Sequence, residues 1–566
     1  MSDQMGAKAL SMYSGRDALT PHLDALATRG TVFENAYCSF PLCAPSRIAM
    51  MTGRLPSRIG AYDNAAEFPS STPTFVHYLR RLGYATTVSG KLHYIGADQL
   101  HGFEERLTTD IYPADFGWTG EWDPLTPADK DEESGSGVSG VETVADAAPV
   151  VRSMQIDYDE QVFARGVQKI YDIARGTDQR PFFLMVSFTQ PHDPYVARRE
   201  FWDLYADTDI SEPEVGPFPL EAYDRHSREL YYHYGLDRCV ITPEMTRVAR
   251  RGYFGMISDI DAKIGALLTA LEATGLADNT VVIYTSDHGD MLGERGLWFK
   301  KTLFEWAVRV PLILALPGRL HGDRVKRCVS HLDLLPTLVE LAADDTSVII
   351  PPIDGSSLLS HSETERFVLC EHLDEGTTAP RFMVRKDKFK FVCSPAYDPQ
   401  LYDLDSDPNE LTNLANEVDM QEVRADFEAI AEQQWDADTL REQVIDSQRR
   451  RKLVHAALSK GRWHAWDYVV PAGVGERYVR HHDRFPEVER QRYLHYRTGD
   501  ASSGFRENLL GREVRSSQRA SRQVRFPLPG KNSSCRPAAF RFGFLYDRRG
   551  TNRPERGLPI GSIFRP

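Results

Sequence analysis

The 566-residue sequence contains no apolar run approaching the ~18 residues that a membrane-spanning helix requires. Its most hydrophobic segments, such as 310–316, have the length of strands. The opening Met1-Ser2-Asp3-Gln4 has neither a basic nor an apolar leader region, so no secretory signal is expected. Seven cysteines are too few and too scattered for a disulfide framework. Internal repeats are lacking as well. These absences point to a cytoplasmic protein with no membrane attachment. Positive charge is scarce through residues 1–496, which hold 52 Lys and Arg against 76 Asp and Glu. An acidic body argues against nucleic acid as a partner and is compatible with a cationic ligand. Residues 497–566 reverse the balance, with 15 basic against 5 acidic side chains. That end is rich in Ser, Gly, Pro and Arg and has no amphipathic period, the composition of a disordered extension.

What remains is the composition of a folded protein, 41% hydrophobic and 26% charged. At ~150 residues per domain the length allows two to four domains, or one large body with additions. Strands are expected at 85–89, 181–188, 280–285 and 310–316, all rich in Val, Ile and Phe. Helices are expected at 19–29, 73–82, 157–174, 244–274 and 332–343. Thr72-Pro73 is taken as the start of the second, and Pro336 as a kink or register change in the last. Alternation on this scale predicts an α/β fold over residues 1–345, with a large, mostly parallel sheet flanked by helices. Beyond it, a hairpin about Lys386-Asp387, a strand at 401–404 and helices through 421–460 predict a smaller α+β subdomain over 346–495. The tail is 496–566, and 126–140 reads as a flexible acidic loop.

Chemistry-bearing residues gather in a few short runs. Cys43-Ala44-Pro45-Ser46-Arg47 continues through Thr52-Gly53-Arg54. A lone cysteine there would be only a small buried hydrophobe, so its neighbours carry the information. Thr285-Ser286-Asp287-His288-Gly289-Asp290 follows a predicted strand, where α/β sheets place ligand-binding groups. By itself it is also compatible with a plain turn capped by Asp and His. Lys91 and His93 (in Ser89-Gly90-Lys91-Leu92-His93), His192 (in Gln190-Pro191-His192-Asp193) and Lys300 complete the set.

The run C-x-P-S-R-x₄-T-G-R resembles the sulfatase signature at every fixed position, and residues 3–495 are most similar to choline sulfatases. The stretches 60–67 and 99–118 carry that closer likeness, as do 448–454 and 476–482. The resemblance implies a mixed sheet of the sulfatase and alkaline-phosphatase kind. It also implies that a maturation system oxidises Cys43 to formylglycine, whose hydrate is the nucleophile, with Arg47 and a divalent metal holding it ionised. Ca²⁺ is the first expectation for that ion, with Mg²⁺ and Mn²⁺ open, and Asp3, Cys43, Asp287 and His288 are the ligands implied. A sulfate ester is an anion, so its reaction needs fixed positive charge around the sulfuryl oxygens. Lys91, His93, His192 and Lys300 match family residues that bind sulfate and assist turnover. Asn64, Trp118, Glu371 and Asp115 are candidates for the choline side, where a quaternary ammonium is recognised by aromatic faces and carboxylates. The partners implied are a small sulfate ester and further copies of the chain. An aryl sulfatase, a phosphonate monoester hydrolase or an inactive, N-terminally truncated homologue are the alternatives. In these families an apolar strand leads into the first Asp. Only Met1-Ser2 precede Asp3 here, so the first strand is expected to be missing and Asp3 to be loosely held. Cys43 is expected on an active-site turn outside the main core.

Overall fold

The computed structural model describes residues 1–13, 15–123, 139–316, 322–343, 346–360 and 366–460. All of these belong to one compact unit, Met1–Arg497. The basic tail, the segment 476–482 and most of the acidic 126–140 loop lie outside the described residues.

Two sheets carry the site, beside a small parallel pair of Ala148–Val150 with Val196–Arg198. One runs Glu105–Arg106, Ala85–Gly90, Phe182–Ser187, all parallel. The other runs Val282–Thr285, Leu312–Ala315, Thr31–Tyr37, Arg324–Ser330. In it Thr31–Tyr37 is parallel to Arg324–Ser330 but antiparallel to Leu312–Ala315, so the architecture is mixed, as expected. The first residues join the two. Met1 donates its amino group to the Val186 carbonyl at 2.9 Å and accepts from the Phe188 N–H at 2.9 Å. Ser2 donates to the Thr285 carbonyl at 3.1 Å and bridges Ser286 in parallel. The expectation of a loosely held Asp3 is therefore corrected. Both flanking strand ends grip the residues before it, and Asp3 itself is buried.

The predicted strands and helices recur within a few residues. The long helix Pro243–Thr274 begins as its sequence dictates, with Thr242 accepting from the Met245 N–H and Pro243 in the first turn. It ends at Gly275 in the left-handed region. Two details differ. Thr74, not Thr72, caps the helix Phe75–Arg81, because Thr74 and His77 exchange bonds in a capping box. Pro336 does not kink Leu334–Ala343; it falls in the first turn, where its missing N–H costs nothing, and the change of helical register comes two residues earlier, where the tight turn His331–Asp333 passes into the α-helix. Six strands were not foreseen, and three of them, Glu105–Arg106, Ala148–Val150 and Val196–Arg198, are only two or three residues long. Thr31–Tyr37 has its apolar pattern interrupted by Glu34-Asn35 at a register shift. Arg324–Ser330 has an exposed, charged first half, and Phe367–His372 is the first strand of the C-terminal sheet.

That C-terminal sheet runs Phe367–His372, Arg381–Lys386, Phe389–Ser394, Tyr397–Asp403, all antiparallel, with the helices Gln421–Gln434 and Ala437–Ser459 after it. A buried ion group ties it to the catalytic part. Lys390 meets Glu305 at 3.0 Å and Glu410 at 2.7 Å, and Tyr37 donates to Glu305 at 3.2 Å. No helix among the described residues is long and apolar enough to cross a membrane.

Candidate active site

Cys43 is not on a turn. It is the first residue of the helix Cys43–Thr52, every residue of which is buried, and this corrects the expected placement. The spacing of the run has local causes. The Ala44 N–H, an orphan donor of the first turn, is satisfied by the Asn64 side-chain oxygen at 3.0 Å. Ser46 donates to the Asp287 carbonyl at 2.6 Å, and Thr52 bonds back to the Ile48 carbonyl at 2.9 Å. Gly53 then stops the helix at φ 63°.

Two glycines allow the close approaches that bring other groups here. At Gly90, φ is 114° and a Cβ would stand 1.9 Å from the Ser187 carbonyl oxygen. The chain passes through that gap and delivers Lys91. At Gly252 a Cβ would stand 2.1 Å from the Tyr195 carbonyl oxygen, so the 189–195 loop rests directly on the long helix.

Asp3, Cys43, Asp287 and His288 each offer one ligand atom, and these atoms lie within 4.8 Å of one another. Arg47 braces the group, donating to Asp287 at 2.8 Å and Asp3 at 3.2 Å, and to the Lys91 carbonyl at 2.7 Å and Ser187 Oγ at 2.9 Å. Lys91 Nζ reaches the same Asp3 oxygen. Asp287 also accepts from the Gln4 N–H at 3.0 Å and the His288 N–H at 2.9 Å.

The electrostatics fit a cation and an anionic residue 43. Burial and the adjacent Cys43 push Asp3 up, yet Lys91 and Arg47 hold it at about 2. Burial opposes charge on His288, but Asp287 and Cys43 raise it to about 9, so two anions facing its ring ask for a positive charge. Burial also raises Cys43, and Lys300, Lys91 and His288 overcome this, drawing it well below a free thiol. Two carboxylates and an imidazole suit a hard or borderline divalent ion, which Asp3, Asp287 and His288, with Cys43 beside them, could hold.

His192 stands opposite. Its Nδ1 lies 2.7 Å from the Asp193 carbonyl oxygen, which assigns the proton to Nδ1 and leaves Nε2 to accept from Lys300 Nζ at 2.6 Å. Lys300 also donates to Gln4 Oε1 at 2.5 Å. His93 is buried at φ 57°, its backbone N–H held by Asp110 at 2.8 Å, and burial lowers its ring.

Of the choline-side candidates, the structure brings Asn64 and Trp118 to this group and leaves the other two apart. The half-buried Trp118 ring is 5.7 Å from His93 and 5.4 Å from Tyr112. Asp115 folds onto its own loop, accepting from the Gly117 N–H at 2.9 Å. Glu371 is engaged with Ser57 and, at 2.6 Å, with Trp435 Nε1. Sequence reasoning missed Gln4, which donates to both Asp290 at 2.6 Å and Asp193 at 3.2 Å, and Tyr112, whose ring centroid lies 4.2 Å from Lys91 Nζ. Their only signal was adjacency to Asp3 and a place inside the 99–118 run.

Residues 1–344 match the family model described as Sulfatase. Residues 442–493 match one described as choline sulfatase enzyme C terminal, and 293–436 one for the C-terminal region of N-sulphoglucosamine sulphohydrolase. A choline-sulfatase from Rhizobium meliloti (strain 1021) is 43% identical over 499 residues, which span 86% of this chain and 96% of that protein. An arylsulfatase from Clostridium perfringens (strain 13 / Type A) is 31% identical over 453 residues, 75% and 91% of the two chains. Among solved structures, a phosphonate monoester hydrolase from Silicibacter pomeroyi superposes with a TM-score of 0.61 at 21% identity. It covers 77% of this chain and 94% of its own, a likeness of fold.

Proposed function

Because the chain belongs to the sulfatase family and is a sulfuric ester hydrolase, we propose that its substrate is choline sulfate, cleaved to choline and sulfate. The observation that carries this choice is the 43% identity to a choline-sulfatase across 96% of that protein. The match of 442–493 and the Tyr112–Trp118 aromatic wall beside His93 support it.

Formylglycine in place of Cys43 supplies the attacking oxygen, and a divalent ion held by Asp3, Asp287 and His288 supplies charge to the sulfuryl group, as is typical of the family. The remaining work falls to side chains. Arg47 is fixed by four bonds and does not reorganise, so it offers its charge to residue 43 at no further cost. Lys91 and Lys300 add two buried cations around the anion. His192, oriented by Asp193 and fed by Lys300, delivers the proton to the departing alcohol oxygen. Trp118 and Tyr112 present faces to a cation that accepts no hydrogen bond, while Asn64 both caps the Cys43 helix and lines that side. Glu371 and Asp115 remain candidates for that side through resemblance.

The reading carries with it Ca²⁺ ahead of Mg²⁺ or Mn²⁺, the order the resemblance implies. It also carries a maturation system acting on Cys43, a cytoplasmic setting and a homo-oligomer. Residues 1–345 then form the catalytic domain and 346–495 its C-terminal subdomain. The test compares kcat/KM for choline sulfate and 4-nitrophenyl sulfate, with Cys43→Ala as the blank. Preference for the choline ester is expected, and a clear aryl preference rejects the choice.

A further inference from the structure

The basic run Arg449-Arg450-Arg451-Lys452 has the look of a solvated helix face, and three of its four side chains do something else. Arg451, nearly buried on the helix Ala437–Ser459, grips the buried Asp63 through both guanidinium nitrogens, each at 2.7 Å. The same guanidinium donates to Thr119 Oγ1 at 3.1 Å. Asp63 precedes Asn64 and organises its turn, accepting from the Ala65 N–H at 2.9 Å. Thr119 follows Trp118 and closes its turn, donating to the Phe116 carbonyl at 2.8 Å. Arg449 holds Asp123, Lys452 holds Glu121, and Gln448 accepts from the Trp122 N–H at 2.9 Å.

We propose that Arg451 is a positioning residue for the alcohol side of the site, locking the turn that carries Asn64 to the turn that carries Trp118. This rests on the choline reading above. A quaternary ammonium offers no hydrogen bond to correct a misplaced partner, so its selection depends on aromatic faces being held at a fixed separation. The sulfuryl side is braced independently, by Arg47, Lys91 and Lys300 on other elements. A bidentate fork suits this task, because it fixes direction as well as distance, and lysine cannot reproduce it.

The test uses the full-length holoenzyme and the two products as separate probes of the two sides. Arg451→Met and Arg451→Lys are compared with wild type for KM on choline sulfate, inhibition by choline, inhibition by inorganic sulfate, and kcat on 4-nitrophenyl sulfate. In the double variant Asp63→Asn/Arg451→Met no carboxylate is left buried without its partner, which keeps the protein folded if the single variant is not. The expected result is a roughly 10- to 30-fold rise in KM and in the choline inhibition constant for Arg451→Met and the double variant, the worth of a displaced cation–π contact. Arg451→Lys should fall between, with sulfate inhibition and kcat within about twofold of wild type throughout. Equal weakening of choline and sulfate, or unchanged choline binding in the folded variants, overturns the inference and leaves the substrate choice standing. A wild-type enzyme that neither turns over choline sulfate nor binds choline overturns both.

Discussion

Replacing His192 by alanine separates proton delivery from the rest of catalysis. The side chain has two partners. Lys300 Nζ donates to Nε2 at 2.6 Å, and removing that acceptor weakens the placing of a buried cation that both kinds of substrate use. A hydrogen bond to a charged group contributes about 1.5–3 kcal/mol. Gln4 Oε1 still accepts from Lys300 at 2.5 Å, so the loss should lie at the low end, about tenfold. The second loss is selective. An alkoxide such as that of choline needs a proton as it leaves, and a positioned acid contributes roughly 10²–10⁴-fold. A nitrophenolate is stable enough to leave without one. His192→Ala should therefore lower kcat/KM for choline sulfate by about 10³–10⁵ and for 4-nitrophenyl sulfate by only about tenfold. Steady-state rates on both esters, with metal content checked, decide it. Equal losses on the two substrates would refute the general-acid role.

Two further outcomes follow from the same geometry. Asp287→Ala should lose metal and activity together, falling to the Cys43→Ala blank, because Asp287 is both a ligand and the anchor of Arg47; metal retained by elemental analysis in a dead variant would contradict this. Burial, with His288 and Arg47 nearby, pushes His331 down to about 3. The unfolded chain takes up that proton near pH 6.5 and the folded one only near pH 3, so stability falls as pH drops through this window, by a few kcal/mol in all. His331→Gln should accordingly unfold at lower pH than wild type when followed by circular dichroism, and an unchanged acid midpoint would remove His331 from the account.

The catalytic residues were legible in the sequence wherever the chemistry is packed into contiguous runs. Cys43 with Arg47, and Asp287 with His288, are such runs, because one helix turn or one strand end suffices to aim both members. The strands that hold them were legible where they are continuously apolar, as in Phe182–Ser187, and not where polar residues interrupt the pattern, as Glu34-Asn35 do in Thr31–Tyr37. What sequence did not reveal is pairing at long range. Arg451 meets Asp63 across 388 positions, and no local pattern distinguishes it from its solvated neighbour Arg450. The hold on Asp3 was hidden for the same reason, since its own N–H bonds the distant Gln190 carbonyl and the Met1-Ser2 pair before it is held by Val186, Phe188 and Thr285. Glu371 shows the converse, for the resemblance marked it as a candidate for the choline side, whereas Ser57 and Trp435 already occupy its carboxylate.

The buried meeting of Lys390 with Glu305 and Glu410 bears on how far this protein can be taken apart. Glu305 lies five residues beyond Lys300, and Lys390 is on the second inner strand of the C-terminal sheet, so one ammonium stands between two carboxylates in the dry seam, with Arg309 and Arg385 adding positive charge only on the Glu305 side. A chimera that exchanges the C-terminal sheet for a relative's without supplying a cation at that point would leave Glu410 without its cation and Glu305 without its direct partner. Breaking a buried pair in this way costs about 3–5 kcal/mol, a large part of the ~5–15 kcal/mol that holds a domain folded. The segment carrying Lys300 would be the first to feel it. The sheet therefore cannot be treated as an exchangeable module, and recombination among sulfatases at this seam should succeed only where the three charged positions travel together.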